Sequence, residues 1–505
     1  MPNGQSVATE VSDMTPASSK TSEPKRPVRQ NGTLRADLCI IGAGSGGLSL
    51  AAGAVQMGAS VVLIEKGKMG GDCLNTGCVP SKALIAAAHH AHAARVAHGF
   101  GVHAAEPTVD FRQVHDHVHG VIGAIAPHDS VERFEGLGVH VIKDAAKFID
   151  ADTVEAGGER IVARRFVVAT GSRAAVPPIP GLADAGYLTN ETVFELKERP
   201  EHLIVVGGGP IGIEMAQSFR RLGSAVTVIE KFGILAKDEP EAVEVVRASL
   251  ARDGVAIVEK VGVSEVRREG DRAVVVLDGD SNVGRTISGS HILIAAGRRP
   301  NIEGLGLDKA GIEATQRGIT VDARLRTSNK KVFAIGDVAG GPQFTHIAGY
   351  HAGIVIRNVL FGLPAKVDYA ALPWVTYADP ELAHTGLTEA EARKAGHNVQ
   401  VLTWSFEMND RAQAERETEG LAKIVLGKRG RILGATIVGP RAGELIGTWA
   451  LAISAKLAIG SIASAVLPYP TLSEISKRAA GSFYTPKLFG AGTRRVVGFV
   501  QRWLA

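Results

Sequence analysis

Cys73 and Cys78 are the residues of this chain best placed to do chemistry. They lie five positions apart in the run Gly70-Gly71-Asp72-Cys73-Leu74-Asn75-Thr76-Gly77-Cys78-Val79-Pro80-Ser81-Lys82, at the expected start of a helix. A helix N-terminus and a nearby lysine both favour thiolate over thiol, so the spacing predicts a reactive dithiol. A zinc site would need about four ligands, and no second cysteine pair matches the first. The chain has three cysteines in all, which also excludes a secreted disulfide scaffold. The third, Cys39, falls in an aliphatic run and reads as a small core residue of a buried strand.

The elements that could serve such a pair occur in two copies. Leu38-Cys39-Ile40-Ile41 leads into Gly42-Ala43-Gly44-Ser45-Gly46-Gly47, a helical stretch, and Val61-Val62-Leu63-Ile64-Glu65. Leu203-Ile204-Val205-Val206 leads into Gly207-Gly208-Gly209-Pro210-Ile211-Gly212, a helical stretch, and Val226-Thr227-Val228-Ile229-Glu230. In both copies the first glycine and the closing glutamate are 23 positions apart. A lone G-x-G-x-x-G would be weak, but the repeat between strand and helix predicts two dinucleotide sites. Gly42 and Gly207 would allow the turn, Gly44 and Gly209 would admit a pyrophosphate, and Gly47 and Gly212 would pack helix against strand. Glu65 and Glu230 would each accept from a ribose hydroxyl. Two such sites suggest electron transfer between two cofactors. An acid at Glu230 favours NADH, with NADPH the alternative because Lys231 adjoins it.

Composition agrees with a soluble globular protein able to bury a large core. At roughly 100–200 residues per domain, 505 residues predict about three domains. The 45% hydrophobic and 21% charged residues exclude disorder as the dominant state. A net charge of +4 from 56 basic and 52 acidic residues is too small for a dedicated nucleic-acid binder. The uncharged run Leu38 to Ile64 is broken by glycines and reads as strand, turn, helix and strand rather than a membrane span. Thr448 to Leu467 is apolar apart from Lys456 and is expected to form one buried helix with the lysine at an edge. Residues 1–35 read as a disordered tail. Glu10, Asp13 and Glu23 argue against a transit peptide, so a cytoplasmic protein is expected.

The dithiol segment resembles the active-site disulfide of the FAD-dependent pyridine nucleotide-disulfide oxidoreductases, which include lipoamide dehydrogenase, glutathione reductase and mercuric reductase. The resemblance runs from Ala36 to Tyr484. Val168-Ala169-Thr170-Gly171-Ser172 is similar to the link between flavin and NAD domains, and Ala296-Gly297-Arg298-Arg299-Pro300-Asn301 to the return. Phe333-Ala334-Ile335-Gly336-Asp337 resembles the block whose aspartate holds FAD, and Gly420 to Glu444 the dimerisation domain. The resemblance implies an α/β fold with two nested Rossmann-like FAD and NAD(P) domains and a C-terminal α+β dimerisation domain. The divisions implied are an FAD domain at 36–165 and 296–365, an NAD(P) domain at 166–295, a dimerisation domain at 366–484 and a basic amphipathic tail at 485–505.

The resemblance also assigns roles. Cys73 would be the interchange thiol and Cys78 would lie against the flavin, with Lys82 and Glu214 paired beside it. Gly42, Gly44, Gly47, Glu65, Lys82, Thr170, Gly171 and Asp337 would bind FAD. Gly207, Gly209, Gly212, Glu230, Gly297 and Arg298 would serve the nucleotide sites. Hydride would pass from NADH through flavin to the Cys73–Cys78 disulfide and on to a small-molecule or protein disulfide. In a homodimer, Tyr469 and Glu474 would complete the partner's site.

One departure concerns a proton. The family's His-Pro-Thr block reads Tyr469-Pro470-Thr471 here, with Glu474 retained. Histidine titrates near pH 6.5 and can accept or donate at neutrality, whereas a phenol, near 10, is mainly a donor. A bias toward NADH-driven reduction, away from dihydrolipoamide oxidation, is expected. Tyr469 and Pro342-Gln343-Phe344 resemble mercuric reductase, so reduction of thiol-bound Hg(II) is the alternative reading. No Cys-x-x-Cys precedes the core and Val497 to Ala505 has no cysteine pair, so efficient Hg(II) turnover is not expected. Nine of 16 histidines fall between His89 and His128 and read as a solvated helix end and loop without acidic partners; no metal site is expected. His346 is a weaker candidate for a replacement base near the flavin. Lys487, Arg494, Arg495 and Arg502, with Val496, Val497, Val500, Trp503 and Leu504, form a basic amphipathic stretch. Packing on its own dimer is the first expectation there, and contact with an anionic membrane the second. A redox-sensing flavoprotein that mainly binds is the reading from another class.

Overall fold

A computed structural model describes residues 25–279 and 284–504. Most of the tail expected at 1–35 therefore lies outside the described residues. Its last part is ordered: Val28–Gln30 and Thr33–Ile41 form a hairpin. Asn31 and Gly32 turn it with φ of 50° and 73°. Two successive positive φ values match the right-handed twist of the flanking strands, which is why Asn-Gly makes this turn. The tail reading overlooked that signal.

The first sheet has eight strands. His140–Ile142, Val61–Ile64, Thr33–Ile41, the inner half of Glu159–Val168 and Val332–Ala334 run parallel in that order. Parallel strands need crossovers that cover both faces, so their inner segments, residues 38–41, 61–64, 166–168 and 332–334, are apolar throughout. Cys39, Ile41, Val62 and Phe166 pack on one face, and Leu38, Ile40, Val61 and Leu63 on the other. Cys39 is a buried core residue, as its setting suggested. The strand Glu159–Val168 continues past 165, so the chain leaves this sheet at Thr170 and Gly171, later than the 165/166 boundary.

The second parallel sheet orders Ala256–Glu259, Ala225–Glu230, His202–Val206 and His291–Ile294. An antiparallel trio, Val263–Glu269, Arg272–Leu277 and Thr286–Gly289, is inserted before its last strand. Ser172–Ala174 and Arg298–Pro300 pair antiparallel where the chain leaves and re-enters the first unit. A five-stranded antiparallel sheet then spans Pro373–Thr376 to Ile432–Gly439 and is covered by the helices Ala442–Ser454 and Glu474–Ser482. The single helix expected over Thr448 to Leu467 is instead two, Ala442–Ser454 and Ile459–Ala463. Lys456 sits between them at φ 56°, exposed, while Leu457 N–H donates back to Ala452 O at 2.8 Å. That back-bond closes the helix end with a left-handed residue, so charge and chain reversal coincide.

The second and third units are joined by buried ions. Lys423 Nζ, on a central strand of the five-stranded sheet and 4% exposed, reaches Glu239 at 2.9 Å, Glu241 at 2.6 Å and Glu389 at 2.8 Å. Burial works against the ammonium, but Glu241, Glu389 and Glu239 outweigh it and hold the group charged. Arg221 bridges Asp253 at 2.8 Å and Asp379 at 2.6 Å in the same interface. Replacing Lys423 by alanine would leave Glu239, 3% exposed, without its cation. A loss of about 3–5 kcal/mol is expected in chemical denaturation; a loss below about 1 kcal/mol would show that the interface does not depend on it.

Candidate active site

The two glycine loops have the same construction. Gly42 and Gly207 adopt φ of 109° and 118°, and a Cβ at either would lie 2.4 Å from the carbonyl oxygen of Ala169 or Ala295. A Cβ at Gly47 or Gly212 would lie 1.9 Å from the carbonyl oxygen of that first glycine. At Gly44 and Gly209 the added atom meets nothing closer than 3.9 Å. First and third glycines are thus demanded by packing, while the second faces open space. The helices Ser45–Gln56 and Pro210–Arg221 start at these loops, so unpaired N–H groups and the positive helix end point into that space.

The strand-terminal acids match as well. Glu65 Oε2 accepts from Ala43 N–H at 2.7 Å and Glu230 Oε2 from Gly208 N–H at 2.6 Å. Their other oxygens accept from Gly67 N–H at 2.6 Å and Phe232 N–H at 2.9 Å. Each carboxylate therefore fixes its own loop and keeps lone pairs for further donors. Both loops line one continuous cleft of about 2750 Å³ together with Cys73, Cys78, Lys82 and Glu214. Single small-molecule pockets are commonly about 300–1,000 Å³. The cleft and the open second glycines fit a dinucleotide at each loop.

Between the loops lies the dithiol. Cys73 is in the short helix Gly71–Asn75, and Cys78 is the first residue of the helix Cys78–Val96. The hydrogen bond from Cys73 draws the Cys78 thiol down to about 6, against burial and with help from Thr345 and Lys82. The same interaction, together with burial, pushes Cys73 up. Cys78 Sγ is 3.3 Å from Thr345 Oγ1. One sulfur is prepared as thiolate and its neighbour as donor.

Lys82, one turn further along that helix, pairs through Nζ with Glu214 Oε2 at 2.9 Å. Glu214, 6% exposed, also accepts from Tyr377 N–H at 3.0 Å, and Lys82 Nζ stands 4.2 Å from the Tyr377 ring centre. A second network fixes the other wall. Arg298 lies 3.1 Å from Asp72 and 3.7 Å from Asp337, and its Nε donates to Ser172 Oγ at 2.7 Å. Burial raises the Asp337 carboxyl, with Ser172 and Arg298 opposing. Thr170 and Gly171 are tied to Asn301, with Thr170 Oγ1 donating to its carbonyl at 2.7 Å and Asn301 N–H to Gly171 O at 3.0 Å. Gly297 O accepts from Ala175 N–H at 2.9 Å.

Tyr469 and Glu474 do not join this cleft within one protomer. Tyr469 is 69% exposed and donates to Asp410 Oδ2 at 2.9 Å, which raises its phenol pKa. His346 lines the cleft, but its Nε2 is engaged with Pro373 O at 3.0 Å, and burial lowers its pKa. The histidine-rich stretch does have acidic neighbours, contrary to expectation. His92 lies 3.8 Å from Asp253, and ligand atoms of His115, His119 and Glu195 fall within 4.8 Å of one another. These partners come from distant sequence, which spacing does not reveal; His119 Nε2 is occupied by Phe194 O at 3.2 Å.

Sequence reasoning missed several positioning residues. Asn190 donates to Asp72 Oδ1 at 2.9 Å and to Thr76 O at 3.1 Å, fixing the loop before Cys78. His351, lowered to about 4 by burial, accepts from Gly336 N–H at 3.1 Å and holds the Asp337 turn. Tyr377 and Thr345 complete the set. None lies in a recognisable motif, and all act across long sequence separations.

Two dinucleotide loops, an adjacent dithiol and a separate antiparallel domain define a two-nucleotide disulfide reductase. The chain belongs to the pyridine nucleotide-disulphide oxidoreductase family: residues 36–352 match that family and residues 372–480 its dimerisation domain. It is therefore an enzyme of a family that uses FAD and NAD(P)H. It is 38% identical over 458 residues to mercuric reductase of Streptomyces lividans, covering 88% of this chain and 96% of that protein. It is 36% identical over 456 residues to dihydrolipoyl dehydrogenase of Geobacillus stearothermophilus, again covering 88% and 96%. Among solved structures it resembles the Cu(II) complex of the HOCl-induced flavoprotein disulfide reductase RclA from Escherichia coli (TM-score 0.80, 27% identity, 89% of this chain and 99% of that one). LpdA from Mycobacterium tuberculosis is similar at TM-score 0.81 and 26% identity, with the same coverage. Among the described residues no helix is long and apolar enough to cross a membrane.

The sulfur pair gives a pH-dependent expectation. In the reduced protein, thiolate absorbance assigned to Cys78 should rise with a midpoint near 6. The lowered Cys78 pKa contributes stability to the reduced fold that is lost as pH falls from the ordinary thiol range through about 6, while the raised Cys73 pKa opposes that contribution above the ordinary thiol range. Cys73→Ala should move the midpoint upward, because it removes the donor that is the main cause of the shift; an unchanged midpoint would refute the coupling.

Proposed function

We propose that the protein is a cytoplasmic homodimer that reduces a disulfide or thiol-reactive acceptor with NADH through Cys73 and Cys78. The observation carrying this reading is the division of labour between the two sulfurs, placed in one cleft with both glycine loops. FAD, bound along the first loop by Glu65, Asp337 and the Gly42–Gly47 turn, would supply the two-electron relay between nicotinamide and dithiol. Glu230 beside the second loop favours the unphosphorylated ribose of NADH.

The remaining chemistry belongs to side chains. Lys82, oriented by Glu214, keeps positive charge near the Cys78 sulfur. Cys73 passes its proton to the Cys78 thiolate and attacks an acceptor disulfide as thiolate; the acceptor S–S bond breaks, a mixed disulfide forms and one thiolate leaves, taking that proton back from Cys78. Cys78 thiolate then attacks Cys73 Sγ, releasing the second acceptor sulfur as thiolate and closing the Cys73–Cys78 bond. Two protons are taken up by the leaving sulfurs. The net change is NADH, H⁺ and disulfide to NAD⁺ and two thiols. Tyr469 of the partner protomer suits proton donation to a leaving sulfur, since Asp410 keeps its phenol protonated through neutral pH. It is poorly suited to removing a proton from dihydrolipoamide. Glu474 would position it.

Tyr469 also supports a second reading, reduction of thiol-bound Hg(II), in which the phenol hydrogen-bonds a metal-bound thiolate; the similarity to mercuric reductases fits it. Turnover of lipoamide in both directions separates the cases. In the direction that needs a base, oxidation of dihydrolipoamide with NAD⁺, wild type is expected to be slow and Tyr469→His to gain about 10²-fold, the usual contribution of a well-placed acid–base group. Equal, rapid turnover by both would contradict the role given to Tyr469. Turnover of Hg(II)–thiol complexes alone would favour the second reading.

A further inference from the structure

The helix Ala491–Gln501 follows the matched dimerisation domain and has no buried residue. Arg502 extends it at helical angles, and Trp503 N–H and Leu504 N–H both donate to Val500 O, at 3.0 and 3.2 Å. At 100° per residue Val496, Val497, Phe499, Val500, Trp503 and Leu504 fall within an arc of about 160°. Arg494, Arg495 and Arg502 occupy the opposite side, with Lys487 preceding. Trp503 and Leu504 are 76% and 80% exposed, so the apolar arc has no partner in its own protomer.

We propose that this helix binds the surface of a membrane containing anionic lipid, lying in its plane. Glu474 is the last acidic residue of the sequence, so the helix and its approach carry cations only. Anionic headgroups complement a helix whose charged side chains are all cationic. Phe499 and Trp503, with ring centres 6.1 Å apart, place aromatic surface at one end of the apolar arc. Trp is suited to the boundary between headgroup and acyl chain, having an apolar body and one N–H donor. An 11-residue helix is about half the length a span requires, so binding is peripheral. The inference is independent of the electron acceptor.

Co-flotation of the FAD-loaded full chain with vesicles tests it. Phosphatidylcholine vesicles containing phosphatidylglycerol should carry the protein upward at low salt, and phosphatidylcholine alone should not. The pair Arg494→Gln and Arg495→Gln should weaken partitioning about 30-fold. Val500→Glu should weaken it more than tenfold, while flavin absorbance and thermal midpoint stay as in wild type. The proposal is overturned if wild type remains unbound or if Val500→Glu floats equally well. It is also overturned if light scattering shows that Val500→Glu dissociates the dimer, because a second copy then covers the helix.

Discussion

The contact between Lys82 and Glu214 ties the machinery together. Lys82 lies one turn after Cys78 on the same helix, Glu214 sits on the helix that follows the second nucleotide loop, and Tyr377 from the third unit holds Glu214 by its backbone N–H. Three separately folded pieces therefore meet at one ion pair. A carboxylate that is 6% exposed must have a cation and donors nearby, so the pair also specifies how those pieces dock. The Lys423 and Arg221 clusters repeat this logic at the outer interface, where burial again makes each charge dependent on the neighbouring domain.

With the frame held this way, the nucleotide loops and the dithiol share one cleft without needing side-chain chemistry from the loops themselves. The repeat works through backbone: two glycines are fixed by packing and the middle one leaves room. The glutamate at the strand end braces the loop through N–H bonds before it meets any ligand. In the dithiol the asymmetry is electrostatic. Cys78, at a helix start and near Lys82, carries the charge, and Cys73 donates to it. Under the proposed function, the sulfur that would meet the acceptor is thereby distinct from the sulfur that would complete the internal disulfide.

What was legible in the sequence was local or repeated. Strand–glycine–helix–strand patterns, the cysteine spacing and the buried setting of Cys39 all follow from short-range rules. The hairpin at Asn31-Gly32 was equally local, and was lost because the flanking residues look like tail composition. Residues that act across folds were not legible: Asn190 on Asp72, His351 under Gly336 and Glu195 beside His119 each join segments that no periodicity connects. The break at Lys456 shows the same limit, since an apolar run does not announce where a left-handed residue will divide it.

The central claim is that electrons from NADH come to rest on Cys73 and Cys78. Anaerobic addition of NADH to the oxidised, FAD-loaded protein, followed by denaturing thiol titration, tests it directly. The account predicts a pair of new thiols per protomer in wild type and none in Cys73→Ser or Cys78→Ser. Flavin bleaching by NADH with no new thiols in the wild type would contradict it.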